Sequence, residues 1–125
     1  MPAVSLKLRF EGGKALGPGK VRLLELIDEL GSIWAAGRAM KMSYGRAWKL
    51  SNELNGMFEQ PLLLTHHGGS KRGGASLTAL GHNVVKRYRS IEAEMLARSG
   101  HHFSAFDQIV KRKPDDALPD TRALP

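Results

Sequence analysis

The most constraining feature of this sequence is a series of three short helical patterns, separated by breaks of only two or three residues. Leucine and isoleucine recur at helical spacing from Lys20 to Leu30, which predicts the first helix. Gly31 is suited to end that helix, and Ser32 is suited to cap the next one. Ser43 follows a second break and is suited to cap a third helix in the same way. The pattern therefore predicts three helices joined by tight turns.

A β-hairpin with a basic tip is predicted directly after the third helix. Residues 62–65 (LLLT) and 75–78 (ASLT) have the composition of short strands, and residues 66–74 (HHGGSKRGG) form the loop between them. A strand over residues 4–10 is expected before the helices, and a long helix from Ala79 to about Arg98 after the hairpin. This order predicts a mainly α fold with a small β-hairpin, a winged helix-turn-helix with a long C-terminal helix.

One domain accounts for nearly the whole chain, because 125 residues suffice for a single modest core. We expect this domain to span residues 1–113, including the last helix at about 78–98. The predicted helix over 79–98 has an apolar stripe wider than one packing partner needs. Residues 114–125 are rich in proline and poor in apolar side chains, which predicts a flexible tail.

Positive charge is concentrated in the middle of the chain. The formal net charge is +7, and residues 30–91 contain nine bases but only two acids, Glu53 and Glu59. The nine bases are Arg38, Lys41, Arg46, Lys49, Lys71, Arg72, Lys86, Arg87 and Arg89. Such a distribution favours a polyanionic partner, although a generally basic surface is the alternative.

Several functional classes are disfavoured by what the sequence lacks. It contains no cysteine, so disulfides, thiolate metal sites and cysteine nucleophiles are excluded. No apolar run approaches the length of a membrane helix, and we identify no secretory signal, so we expect a cytoplasmic protein without a membrane partner. No nucleophile motif surrounds the serines, histidines and aspartates. We therefore expect no enzyme activity, no cofactor and no small-molecule ligand.

The loop HHGGSKRGG has three interpretations: a phosphate cradle, a metal site or a nucleic-acid contact. A nucleotide-binding loop ends in Gly-Lys-Ser or Gly-Lys-Thr and opens a helix, whereas here Lys71 precedes Arg72 and a strand. His66 and His67 are neighbours on a predicted strand and point to opposite faces, so we predict no metal site. At a hairpin tip, Lys71 and Arg72 favour contact with a DNA backbone or minor groove. A solvated surface loop is the alternative.

The third helix carries a second group of candidate DNA-binding residues. Its apolar positions define a core face, and the opposite face combines a small residue, an amide, a base and an aromatic ring. Hydroxyl groups near its N-terminus can donate to phosphates. Trp48 has two interpretations, an exposed contact residue or a core residue against the second helix. The candidates are Ser43, Tyr44, Gly45, Arg46, Trp48, Lys49 and Asn52.

Residues 28–48 (DELGSIWAAGRAMKMSYGRAW) resemble a pattern of the ModE-type molybdate-responsive transcriptional regulators. That pattern has Gly-Ser-Ile, an alanine-rich second helix, and Met-Ser-Tyr with Ala-Trp opening the recognition helix. The resemblance continues through residues 62–81 and covers about residues 5–118. It is to the N-terminal winged helix-turn-helix domain of this family, which is also similar to LysR-type DNA-binding domains.

The resemblance implies a homodimer in which the first and last helices form much of the interface. The residues expected there are Leu24, Val85, Tyr88, Glu92 and Leu96. Full-length members of the family carry C-terminal molybdate-binding modules, and this sequence stops where those modules would begin. We therefore expect no molybdate site and no other metal site in this chain.

Together these patterns predict a sequence-specific transcriptional regulator that binds double-stranded DNA. It would act as a homodimer on a palindromic operator, with the recognition helix, about 43–57, in the major groove. The wing, 66–74, would contact the backbone or the minor groove. A link to molybdate metabolism is implied by the resemblance alone. The alternative is a protein–protein interaction module that uses a winged helix without specific DNA binding.

Overall fold

The computed structural model describes residues 3–67 and 73–112. Four helices and two small antiparallel sheets follow one another along the chain. In order they are β1 (Leu8–Arg9), β2 (Ala15–Leu16), α1 (Pro18–Leu30), α2 (Ile33–Ala39), α3 (Tyr44–Met57), β3 (Leu63–His66), β4 (Gly74–Leu77) and α4 (Ala79–Ile109). The predicted fold class, a winged helix-turn-helix with a long last helix, is confirmed. The predicted tail, residues 114–125, lies outside the described residues.

The helix boundaries follow local capping rules. Gly31 ends α1 in the left-handed conformation, with φ at 80°, which costs glycine little. The hydroxyl oxygens of Ser32, Ser43 and Thr78 accept from backbone N–H groups three residues later, at 3.0, 3.1 and 3.0 Å. These bonds satisfy groups that the first turn of a helix leaves unpaired. The predicted caps are confirmed, and they fix where α2, α3 and α4 begin.

The core lies where α1 meets α2, α3, α4 and strand β4. Because four elements surround it, α1 buries side chains on several sides rather than along one stripe. Val21, Leu23, Leu24 and Ile27 have no exposed surface. Their burial holds α1 at the centre of the fold, and the other elements pack around it.

The wing hairpin is held at its base by two neighbouring elements. Strands β3 and β4 pair antiparallel, with Leu63 opposite Leu77 and His66 opposite Gly74. The N–H of Ala75 donates to the carbonyl oxygen of Gly31 at 2.8 Å, which ties β4 to the end of α1. The base of the wing therefore has a defined position, while its predicted tip residues Lys71 and Arg72 lie outside the described residues.

Helix α4 is longer than the predicted helix that ends near Arg98. It contains 31 residues and is about 46 Å long at a rise of about 1.5 Å per residue. Ser99 and Gly100 favoured an earlier end, but a single glycine inside a helix costs only about 1 kcal/mol and no proline follows before Pro114. Residues 103–109 are part of the same helix, which ends at Ile109.

The N-terminal strand is shorter than predicted and has a partner that the sequence did not indicate. Only Leu8 and Arg9 form β1, and they pair with Leu16 and Ala15 of β2, for which no strand was predicted. Gly12 and Gly13, with φ at 84° and 83°, allow the chain to reverse between the two strands. This correction concerns the edge of the fold and leaves the helical core unchanged.

Candidate nucleic-acid interface

Helix α3 is oriented by its buried face. Ala47 and Leu54 have no exposed surface, and Ser51 is 1% exposed. The Ser51 hydroxyl is satisfied because it donates to the carbonyl oxygen of Ala47 at 2.8 Å. Sequence reasoning missed Ser51 because a serine breaks the apolar pattern. These contacts leave the opposite side of α3 facing away from the core.

All seven candidate residues of the third helix and its cap are exposed, and the fold brings them together on the outer side of α3. They are Ser43, Tyr44, Gly45, Arg46, Trp48, Lys49 and Asn52. The group combines hydroxyls, an amide, two bases and two aromatic rings at the surface. Such a composition can contact phosphates and base edges together.

Two glycines near this surface serve different purposes. A Cβ atom on Gly37 would lie 2.8 Å from the Cβ of Ala47, so the packing of α2 on α3 requires glycine there. A Cβ atom on Gly45 would meet no atom within 4 Å. The fold therefore does not require glycine at position 45. Its effect is to leave the backbone of the first turn of α3 accessible from outside.

Trp48 is 40% exposed and lines two depressions between α3 and strand β3. Thr65 of β3 lines both depressions as well. The interpretation of Trp48 as a core residue against the second helix is therefore wrong. An indole that remains partly exposed beside lysine and asparagine is suited to a contact surface.

Trp34 and Arg38 extend this surface onto α2. From the sequence, Arg38 was counted only among the bases, and Trp34 was not included among the candidates. Trp34 is 37% exposed, and the guanidinium carbon of Arg38 lies 5.0 Å from the centre of its ring. Such a cation–π contact orients the arginine beside the ring. The buried residues Ile33, Ala36 and Gly37 occupy the core face of α2. The same helical spacing that placed Trp48 outside would have placed Trp34 outside.

The wing is joined to α3 by one asparagine. The Oδ1 atom of Asn55 accepts from the N–H groups of Leu62 and Leu63 at 2.8 and 3.0 Å. Its Nδ2 group donates to the carbonyl oxygen of Leu63 at 3.0 Å. These three bonds fix the start of β3 relative to α3. The wing and the outer face of α3 consequently form one continuous surface.

Charged side chains are divided between two sides of the molecule. Four bases on or beside α2 and α3 are exposed, and no ion pair found within residues 3–67 and 73–112 involves them. They are Arg38, Lys41, Arg46 and Lys49. Cations without an ion-pair partner leave a positive potential near α2 and α3. Most of the ion pairs found within these residues lie instead on α1 and α4.

The largest ion-pair network joins α1 to α4 through Arg89. Its guanidinium group donates to both carboxylate oxygens of Glu25, at 2.7 and 2.9 Å, and to Glu92 at 2.7 Å. The hydrogen bond from Arg89 lowers the pKa of Glu25 below its ordinary value of 4.5, and burial only partly opposes this shift. The network stabilises the docking of α4 on α1.

Two of the five residues predicted for a dimer interface are buried within this chain, which corrects the sequence prediction. Leu24 has no exposed surface, because α1 is surrounded by other elements. Tyr88 is 1% exposed, and its hydroxyl group donates to the carbonyl oxygen of Leu6 at 2.6 Å. Val85 and Glu92 are partly exposed, and Leu96 is 40% exposed. Only these last three present surface to a partner.

The histidines of the described residues have few neighbours that could share a metal ion, and His82 Nε2 lies 3.6 Å from one carboxylate oxygen of Asp28. His66 Nε2 lies 2.9 Å from the hydroxyl oxygen of Ser76, and the rings of His101 and His102 lie 3.9 Å apart on α4. In the part of the chain that the structure describes, no group of three or more histidine, cysteine, aspartate or glutamate residues is arranged to hold a metal ion. No helix there is long and apolar enough to cross a membrane.

The sequence is similar to curated molybdenum regulators. Molybdenum transport protein ModE of Azotobacter vinelandii is 34% identical over 107 residues, which cover 86% of this chain and 37% of the relative. DNA-binding transcriptional dual regulator ModE of Escherichia coli K12 is 32% identical over 116 residues, covering 93% and 40%. Molybdenum-pterin-binding protein MopA of Rhodobacter capsulatus is 33% identical over 96 residues, covering 77% and 36%. The chain thus spans well under half the length of these relatives, and no family model matches it.

The fold is similar to a solved DNA-binding domain. The DNA-binding domain of CbnR, crystallised with DNA, has a TM-score of 0.51 and 24% identity, covering 70% of this chain and 93% of that one. Full-length CbnR with its target DNA has a TM-score of 0.50 and 26% identity, covering 70% and 28%. CbnR is a LysR-type protein, so both resemblances expected from the sequence are confirmed. The chain is a winged helix-turn-helix protein related to the ModE-type regulators.

Proposed function

We propose that this chain is a sequence-specific DNA-binding regulator of transcription. The observation that carries the proposal is the outer surface of α2 and α3, where exposed aromatic rings stand among cations without acidic partners. A polyanion is the partner that such a surface suits, and α3 has the length and exposure to enter a major groove. Relatives named as transcriptional regulators, and neighbours solved with DNA, support the same function.

In this proposal α3 reads the major groove through its exposed polar side chains. Asn52 offers a donor and an acceptor to an adenine edge, and Lys49 reaches a guanine acceptor or a phosphate. Ser43, Tyr44 and Arg46 contact phosphates near the helix N-terminus. The wing tip, with Lys71 and Arg72, lies against the backbone or in the minor groove of the same site.

The proposed regulator is a homodimer held together along α4. Apolar residues recur along the end of α4 at spacings of seven, three and four, as in the seam of a coiled coil. They are Leu96, Phe103, Phe106 and Val110, the residue that follows the helix. Phe106 is 63% exposed and Val110 is 58% exposed, so this seam lacks a partner within residues 3–67 and 73–112. A two-fold dimer would present two α3 helices to a palindromic operator.

The proposal includes a cytoplasmic location and a link to molybdate metabolism. The second point is supported by the names of the relatives alone, and this chain covers only 36–40% of those named here. It is tested by measuring which transcripts change when the gene is deleted. Altered transcripts for molybdate uptake or molybdoenzymes would support the link, and their constancy would refute it.

The DNA-binding function is tested by selecting duplexes from a random library with the purified chain. We expect recovered sequences to share an inverted repeat, and we expect Lys71→Ala with Arg72→Ala to weaken binding to every duplex to a similar extent. Failure to retain any duplex at low salt would contradict the proposal. It would favour the alternative, a winged helix that uses these aromatic residues to bind another protein.

A further inference from the structure

A groove between α3 and the base of the wing has no assigned role in the function proposed above. It has a volume of about 120 Å³. Trp34 and Trp48 form apolar walls, and Tyr44, Thr65 and His67 bring polar groups to its lining. No acidic side chain lines it among the residues that the structure describes. We call this depression the aromatic groove.

The position of the aromatic groove follows from its lining residues. Tyr44 and Trp48 belong to the first two turns of α3, and Trp34 belongs to α2. Thr65 stands opposite Ala75 in the hairpin, and Ala75 is only 5% exposed, so both side chains are on the inner face of the wing. The groove therefore separates the helix expected in the major groove from the hairpin expected beside it.

The geometry of a DNA duplex determines what would lie there. A major and a minor groove are neighbours, and one sugar–phosphate strand separates them. If α3 occupies the major groove and the wing lies against the adjacent backbone or minor groove, that strand must pass between them. The aromatic groove is the surface that faces this strand.

The chemistry of the groove matches a nucleotide of such a strand. Deoxyribose presents mainly C–H groups, which pack well against indole rings. A phosphate beside it requires hydrogen-bond donors, and the hydroxyls of Tyr44 and Thr65 and the ring of His67 can supply them. The guanidinium group of Arg38 lies over Trp34 and adds positive charge beside the groove.

Hydrogen bonds within the chain hold the walls of the aromatic groove in place without DNA. Asn55 joins β3 to α3 through three hydrogen bonds, and Ala75 joins β4 to Gly31. Ser32 and Ser43 cap the two helices that carry the tryptophans and Tyr44. A preformed site loses little conformational entropy when it binds.

We propose that the aromatic groove binds one nucleotide of the DNA strand between the two grooves, with its deoxyribose against Trp34 and Trp48 and its phosphate at Thr65 and His67. The inference rests on the proposed function. It adds Thr65 and His67 to the DNA-contacting residues and assigns to Trp34 a contact with one deoxyribose. It also assigns to Trp48 a sugar contact rather than a base contact.

The first test uses the fact that the chain has only two tryptophans, and both line this groove. Trp48 would be covered by DNA in any mode that places α3 in the major groove, so Trp34 is the discriminating residue. In a Trp48→Phe variant, we expect a selected duplex to protect Trp34 fluorescence from acrylamide quenching by about twofold or more. Unchanged quenching when DNA is bound would overturn the inference.

The second test neutralises one phosphate at a time with methylphosphonate in the selected duplex. We expect several positions to weaken binding, because other residues of the proposed interface also contact phosphates. One position per half-site should belong to the aromatic groove and should cost about tenfold, as the loss of one or two hydrogen bonds to a charged group implies. The same substitution should cost the double variant Thr65→Val with His67→Ala much less, because its groove no longer contacts that phosphate.

The matched control is Ser90→Ala, which removes an exposed hydroxyl group from α4, away from the aromatic groove. Its losses should follow those of the wild-type chain at every phosphate. If the double variant also follows the wild-type chain at every phosphate, the inference is overturned while DNA binding stands. Absence of binding to any duplex would overturn the proposed function together with this inference.

Discussion

At the scale of single residues, two asparagines on α3 have separate tasks, and so do two glycines, Gly37 on α2 and Gly45 on α3. Asn52 is exposed and points away from the core, whereas Asn55 holds the start of the wing through three hydrogen bonds. Gly45 faces open space, whereas the packing of α2 against α3 leaves no room for a side chain at Gly37. These two pairs make it possible to separate folding from DNA binding with matched substitutions.

We expect Asn55→Ala to lower the free energy of unfolding by about 2–4 kcal/mol, because two backbone N–H groups lose their acceptor. Asn52→Ala should leave that free energy within about 0.5 kcal/mol and should instead relax the preference at one base position. Urea unfolding and repeated duplex selection measure the two effects. An equal loss of affinity for every duplex would count against a base-reading role for Asn52.

The glycine pair gives a second prediction at this scale. Gly37→Ala should destabilise the fold by about 1–3 kcal/mol, because the new methyl group would overlap Ala47. Gly45→Ala should leave the fold unchanged or stabilise it by up to about 1 kcal/mol, since alanine favours a helix. We nevertheless expect Gly45→Ala to weaken DNA binding by keeping the backbone of α3 away from the duplex. Thermal unfolding and a binding titration measure the two quantities. Unaltered affinity would show that DNA does not approach α3 at this position.

At the scale of elements, α4 is docked on α1 by the ion pairs of Arg89. The pKa of Glu25 is lowered in the folded chain, so this carboxylate binds a proton less readily when folded than when unfolded. Its contribution to stability is therefore present above a pH of about 4.5 and is lost as the pH falls through the lowered value. We expect Glu25→Gln to reduce stability at pH 7 and to flatten the loss of stability below pH 4.5. Unfolding curves from pH 3 to 7 measure this, and an unchanged pH profile would contradict it.

The elements also show which parts of the fold the sequence could predict. Helix starts depend on caps such as Ser32 and Ser43, which act over three residues and are visible in sequence. The burial of Leu24 was missed because periodicity assumes one packing side, whereas α1 is surrounded. The pairing of β1 with β2 was missed because two-residue strands carry no alternating pattern.

Some residues of the candidate site could be predicted from the sequence, and others could not. The outer face of α3 followed from helical spacing, since Ala47 and Leu54 defined the core side. Trp34 was not predicted because the second helix is rich in alanine, and its small residues indicate a core face less clearly. The aromatic groove could not be predicted at all, because it forms only where α2, α3 and the wing meet.

At the scale of the whole molecule, the proposed homodimer depends on the exposed apolar seam of α4. Phe106 lies on the seam, and the exposed residue Ala105 lies beside it, about 100° around the helix and outside the seam. We expect the wild-type chain to sediment as a dimer and Phe106→Asp to sediment as a monomer, because a desolvated carboxylate opposes the contact. Ala105→Asp adds the same charge and should remain dimeric. A monomeric wild-type chain would contradict the proposed assembly.

The division of charge over the molecule leads to the most direct test of the account, which is the salt dependence of DNA binding. Affinity for a selected duplex should be measured over a series of salt concentrations for three proteins: the wild-type chain, Arg46→Ala with Lys49→Ala, and Lys86→Ala with Arg87→Ala. Both double variants remove two positive charges, but only the first removes them from α3. We expect the α3 variant to bind more weakly, with a slope of log affinity against log salt that is shallower by about two. The α4 variant should keep nearly the wild-type slope. Equal slopes for the two variants, or no binding by the wild-type chain at low salt, would contradict the claim that the surface of α2 and α3 binds DNA.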